Sequence, residues 1–171
     1  MDIQKVADII KSISDGFEDA CKKCLQAESL LMLDLIREQM YSGVDGDERH
    51  LSPTYDDDPF FNEEGFWYHR AASYKAWKMQ ITPPLAGNLT ALPPRPDNVP
   101  NLWIDGTFHY DVNAKPTAEG VNIDPGNGNG PAIVAKYGDR LLFPGPTAVE
   151  YFNLYKMLPA IGEHFEKCGY K

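Results

Sequence analysis

Six prolines fall between Pro83 and Pro100, inside the stretch ITPPLAGNLTALPPRPDNVPN. A proline ring fixes φ and removes a backbone donor, so neither a helix interior nor a central strand survives that density. Residues 82–101 therefore read as an extended connector, partly of polyproline II character. Asn88-Leu89-Thr90 inside it matches a glycosylation acceptor, which reads as chance in a chain without a secretory route. Regular structure has to form before and after this segment.

Before it, helical spacing dominates. Ile3, Val6, Ile9, Ile10 and Ile13 share one face of a first helix. Ser14-Asp15-Gly16 reads as an interruption. A longer helix follows from about Phe17 to Met40, with Phe17, Cys21, Cys24, Leu31 and Leu35 on one face and Leu30, Leu33, Ile36 and Met40 widening it. A face this broad calls for cover from the core or from a neighbouring subunit. Residues 63–79 predict a further helix, with Trp67, Arg70, Ala71, Tyr74 and Trp77 on one side and Glu63 and Glu64 at its favourable N-terminus.

Residues 43–65 separate these helices. The segment from Asp45 to Glu64 holds eight acids and one arginine, so it carries −7 of the chain's net −9. It reads as a long exposed acidic loop, and loops of this length are usually functional. Phe60 and Phe61 are unusual passengers in it. Asp45-Gly46-Asp47-Glu48 resembles the start of a calcium loop, but Arg49 stands where a ligand is needed. Asp56, Asp57 and Asp58 could still meet a cation in space. A calcium-stabilised adaptor using 45–58 is therefore one alternative function, against the plainer reading of a solvated acidic loop.

After the connector the period changes to two. Phe108, Tyr110, Val112 and Ala114 alternate with Thr107, His109, Asp111 and Asn113, which predicts a half-buried antiparallel strand. KPTAEG predicts a turn and VNID a return strand. PGNGNGP reads as a glycine-rich hairpin loop, because no helix and no G-K-[ST] follow as a phosphate loop requires. AIVAKYG predicts a third strand and LLFP a short fourth. Thr147 and Glu150 form a capping box opening a C-terminal helix with Phe152, Tyr155 and Leu158 inward. Pro159 kinks or restarts it, and Ile161, Phe165 and Cys168 continue its stripe. The expectation is one α+β domain over 1–171: N-terminal helices, an antiparallel sheet of three to four strands, and a C-terminal helix packed on the sheet.

Candidate chemistry is sparse. His109, Asp111 and Thr107 would share one strand face, and a His–Asp–hydroxyl set is what nucleophilic catalysis uses. Their i, i+2 spacing leaves about 6–7 Å between neighbours, too far for direct hydrogen bonds. A small hydrolase using His109 and Asp111 is the second alternative. His50, His69 and His164 lack metal-ligand spacing, and no cofactor is implied. Cys21 and Cys24 form C-x-x-C without the second pair a zinc site needs; on the apolar stripe of a helix they read as core thiols. The charge pattern has no basic stripe for gripping nucleic acid. No apolar run is long enough for a membrane span, and the N-terminus lacks a signal-peptide core. The expected compartment is a cytoplasm.

Aromatic content is the stronger signal, with twenty Phe, Tyr and Trp in 171 residues. Tyr41, Tyr55, Phe60, Phe61, Trp103 and Phe143 sit near loops, and aromatic anchors dominate protein–protein contacts. The interaction candidates are Asp45, Asp47, Asp56, Asp57, Asp58, Phe60, Phe61, Trp103, Thr107, His109, Asp111 and Phe143.

Short motifs add a resemblance. Leu102, Asp105, Gly106 and Phe108 match a leucine and glycine-turn-aromatic pattern. Ala135-Lys136-Tyr137-Gly138 and Leu142-Phe143-Pro144 follow it. Over residues 63–165 the chain resembles the neck, head–tail connector and tail-completion proteins of tailed bacteriophages. Asp105 stands where threonine is common, and the acidic and proline segments are longer than expected. The resemblance implies a non-enzymatic ring subunit of the virion, made in the bacterial host cytoplasm. It implies contacts with itself and with neck, portal or tail-tube neighbours. An acidic segment facing the channel would let DNA slide past as a passing polymer.

Overall fold

The computed structural model describes residues 2–82, 89–90 and 92–170. Most of the proline-rich connector is thereby seen, but its residues 83–88 and 91 lie outside the described residues.

Helix α1 spans Ile3–Ala27 without a break. The expected interruption at Ser14-Asp15-Gly16 is absent. A Cβ on Gly16 would stand 2.6 Å from His164 Cε1, so this glycine admits a neighbouring helix instead of ending its own. The chain turns at Glu28, and α2 follows over Ser29–Tyr41. More than half of the residues of α2 are buried, with Leu35, Ile36 and Met40 at 0% exposure. Burying a side chain of this size contributes roughly 2–3 kcal/mol. Helix α2 is the centre of the core. It packs with Phe108, Val112, Leu141, Ala148 and Phe152.

Helix α3 spans Ala71–Ile81, shorter than the 63–79 expected. Residues 63–70 form turns instead, tied by a bond from His69 N to the Phe61 carbonyl at 2.8 Å.

The expected three- to four-stranded sheet is overturned. The chain is 57% helical, and among the described residues there is one two-stranded antiparallel hairpin. Strand β1 is Asn113–Thr117 and β2 is Gly120–Asp124, with Ala114 opposite Ile123. Thr107–Asp111 is a helical turn, α4. Gly106 enters it at φ +86°, and Asp105 Oδ1 accepts from Thr107 N at 2.9 Å. Burial follows the helical period: Phe108, His109 and Val112 are inside, while Tyr110 is 69% exposed. The residues read as alternating were helical neighbours at i, i+1 and i+4.

The predicted third strand is helix α5, Gly130–Tyr137, with Pro131 in its first turn, where a missing N–H costs nothing. Its Ile133 and Tyr137 pack on the core four residues apart. The predicted fourth strand is a 3₁₀ turn over Asp139–Leu142.

Helix α6 spans Pro146–Phe152 and α7 spans Leu158–Lys167, joined by a π turn over Asn153–Met157 just ahead of Pro159. The capping box does not form. Thr147 N donates instead to Glu48 Oε1 at 2.6 Å, and Gly145 N donates to Gln39 Oε1 at 2.7 Å. Helix α7 lies along α1, not on the sheet, whose neighbours are α1 and α2. His164 Nε2 donates to the Ile13 carbonyl at 3.0 Å to hold that pair.

Candidate interaction surface and an aromatic cavity

The acidic loop is stitched to the rest of the chain. Asp45 Oδ1 accepts from Asp47 N and Arg49 N at 2.8 and 3.0 Å. Asp47 pairs with Arg140, beyond α5. Asp56 accepts from Lys75 Nζ of α3 at 2.7 Å and from Asn98 Nδ2 of the connector at 2.9 Å. Asp57 accepts from Thr54 Oγ1 at 2.8 Å. Asp58, itself buried, caps the Pro59–Asn62 turn through Phe60 N and pairs with Lys136 of α5. The hydrogen bond from Arg140 holds the Asp47 carboxyl below its usual range, and that from Lys75 does the same for Asp56. Leu51, Tyr55 and Phe61 from the same segment are buried. The segment read as a long exposed loop is folded onto the chain through Asp47, Asp56 and Asp58, which meet cations from distant elements, while Glu63 and Glu64 remain exposed. Among the described residues no three His, Cys, Asp or Glu side chains gather as a metal site would need.

The catalytic alternative loses its geometry. His109 and Asp111 sit two places apart on a helical turn, so they point about 200° apart instead of sharing a face. His109 is 3% exposed, and its Nε2 donates to the Asn101 carbonyl at 2.9 Å. Burial pushes its pKa down to about 4. Its ring packs between Trp103 and Tyr41, at centroid distances of 5.2 and 6.0 Å. Thr107 is exposed and Asp111 half-buried. His109 is a core histidine that closes α4 onto the connector. Arg37 of α2 completes the clamp, donating from Nε to the His109 carbonyl at 2.7 Å and from Nη2 to the Val112 carbonyl at 2.9 Å.

Of the aromatic candidates, Phe60 and Phe143 are 44% and 47% exposed, while Phe61 is buried. The Arg140 guanidinium covers the Phe143 ring at 5.0 Å. Cys21, Cys24 and Cys168 are free thiols.

Two further features emerge, one on a face that the apolar spacing had marked and one that the sequence reading did not single out. The first is the outer face of α1. Ile3, Val6, Ile10 and Phe17 are 86%, 36%, 61% and 40% exposed. Helix α7 covers Ile13 and Gly16, leaving this stripe bare at the spacing of a helix-packing seam. A second bare helical patch carries Leu154 and Leu158, 54% and 57% exposed and four residues apart.

The second feature is a cavity of about 300 Å³ between the acidic loop, α3, the connector and α5. Tyr55, Phe61, Tyr74, Trp103 and Tyr137 wall it with rings, and Lys78 and the Asp58–Lys136 pair supply its charge. Lys78 is 2% exposed and, among the described residues, forms no ion pair. Burial, reinforced by nearby Arg95, lowers its pKa to about 8. The signal for it was present: Tyr74, Lys78 and Ile81 share one face of α3, and a lysine on an apolar face is out of place.

Comparison with known proteins finds no match for this chain among family models, curated proteins or solved structures. Among the described residues no helix is long and apolar enough to cross a membrane.

Proposed function

We propose that this chain is a structural subunit of a tailed-phage virion, assembling as a ring that joins head to tail or completes the tail. The observation that carries the reading is the bare apolar stripe on α1. Burying Ile3, Val6, Ile10 and Phe17 recovers the hydrophobic free energy their exposure forgoes, and apolar patches of this kind mark association sites. The occupant we assign to it is a second copy of the chain. A ring built head to tail needs two different complementary faces per subunit. The Leu154–Leu158 patch supplies a second apolar helical surface distinct from the first. The resemblance carried by the motifs around Leu102, Gly106, Tyr137 and Phe143 supports a position in the phage neck or tail top. The chain's net charge of −9 would keep passing DNA from adhering to the ring.

Mass photometry of the purified protein tests this. The expected result is a discrete particle of several chain masses, annular under negative stain. Ile10→Asp should reduce it to single chains with an unchanged far-ultraviolet spectrum. A wild-type protein that stays monomeric, or an Ile10→Asp ring that persists, refutes the assignment of α1 as the subunit contact.

A further inference from the structure

We infer that the cavity between the acidic loop, α3, the connector and α5 binds a monocarboxylate with a flat apolar body, its carboxylate on the Lys78 ammonium and its body against the Tyr74, Trp103 and Tyr137 rings. The volume of about 300 Å³ lies at the small end of what ligand pockets enclose. Its walls are apolar and aromatic, with few polar groups, which is how such pockets combine affinity with orientation.

The charge inventory selects an anion. Asp58, buried near the Tyr74 and Tyr137 phenols, is paired with Lys136, so these two neutralise each other. Lys78 is buried and, among the described residues, has no carboxylate partner. A buried ammonium without a counter-charge is costly, and a bound anion removes that cost. Arg95 faces Lys78 with the same sign, but its guanidinium donates to the Pro96 and Val99 carbonyls of the connector. His109 faces it as a neutral ring. One uncompensated point charge suits one carboxylate better than a dianion, and lysine offers no fork for bidentate phosphate. The same chemistry can arrive as a free aromatic acid or as the terminal residue of a peptide.

Quenching of tryptophan fluorescence, with calorimetry, tests the site on the full chain. The probes are 3-phenylpropionate, its neutral amide, and a short peptide ending in phenylalanine with its terminus free or amidated. The acid should bind at least about tenfold more tightly than the amide, the scale of a charge-assisted hydrogen bond. That preference should fade as pH rises past about 8 and Lys78 loses its proton. The tyrosines around the site stay neutral there, since burial raises their phenols above the ordinary range. Lys78→Met should abolish the preference, and Ile133→Trp, which fills the space from the rim, should abolish binding of both. A free-terminus peptide binding as well as the free acid identifies a chain end as the source, and a weaker one identifies a small molecule. Equal binding of acid and amide, no binding of any acid to the wild type, or acid binding unaltered in Lys78→Met overturns the inference.

Discussion

Replacing Lys78 by methionine isolates the one buried cation that lacks a partner among the described residues. The methylene stem of methionine follows that of lysine, so an apolar side chain still lines the aromatic cavity while the charge goes. In the folded chain the ammonium has a pKa of about 8 against 10.5 for a free lysine. Its folded pKa is depressed, so between these values the unfolded chain holds more protons than the folded one. Stability then rises with pH across the window, and the deficit caused by the buried charge is full below about pH 8. Between pH 7 and pH 9.5 the two pKa values imply a relative gain of about 2 kcal/mol for the wild type. Urea unfolding of wild type and Lys78→Met at both pH values reads this as a difference of differences. Other titrating groups cancel because both chains share them. His109 is neutral throughout the window, so it does not enter. Lys78→Met should be the more stable chain at pH 7, with its advantage shrinking by about 2 kcal/mol at pH 9.5. An advantage that does not change with pH would mean the ammonium keeps its water, and the buried-cation argument would fail.

His109 gives a complementary acid-side test. Its folded pKa of about 4 lies below the free value of 6.5, so stability is intact above 6.5 and is lost as pH falls toward 4. By pH 5 the loss should be about 2 kcal/mol, and His109→Gln should flatten that part of the urea-measured profile. Glu38 of α2 is 4% exposed and accepts from Leu89 N, Thr90 N and Thr90 Oγ1. Glu38→Leu should cost about 3 kcal/mol by leaving those donors unpaired, and should raise amide exchange at residues 89–90. A loss under about 1 kcal/mol would show that water replaces the carboxylate there.

Some of this protein was legible along the chain. The apolar spacing of residues 3–13 and 17–40 predicts helix on both sides of residues 14–16, because a helix buries one face and leaves that period in the sequence, but the chain turns at Glu28 and not at Ser14-Asp15-Gly16. The return at VNID lies in β2, but of the predicted turn KPTAEG only Ala118 and Glu119 turn, ahead of Gly120 at φ +146° where few other residues can stand, while Lys115, Pro116 and Thr117 belong to β1. Apolar side chains at residues 108, 110 and 112 fit a strand, but α4 forms because Gly106 and Asp105 start a helical turn and α2 takes Phe108 and Val112 together. The β-branched pair Ile133-Val134 reads as strand until Pro131 and the core contacts of Ile133 and Tyr137 set it as α5. Propensity is a weak preference that such contacts override.

The site shows the same division. Sequence alone determined that this chain carries a concentrated negative charge, abundant aromatic side chains and an amphipathic first helix. Only the tertiary structure decided what they do. It spends Asp47, Asp56 and Asp58 on Arg140, Lys75 and Lys136 from remote parts of the chain. It covers one side of α1 with α7 and leaves Ile3, Ile10 and Phe17 in water. It gathers Tyr55, Tyr74, Trp103 and Tyr137 around Lys78. Charge and hydrophobicity belong to residues one at a time, but the solvent each residue keeps and the partner it meets are set by contacts between elements far apart in sequence.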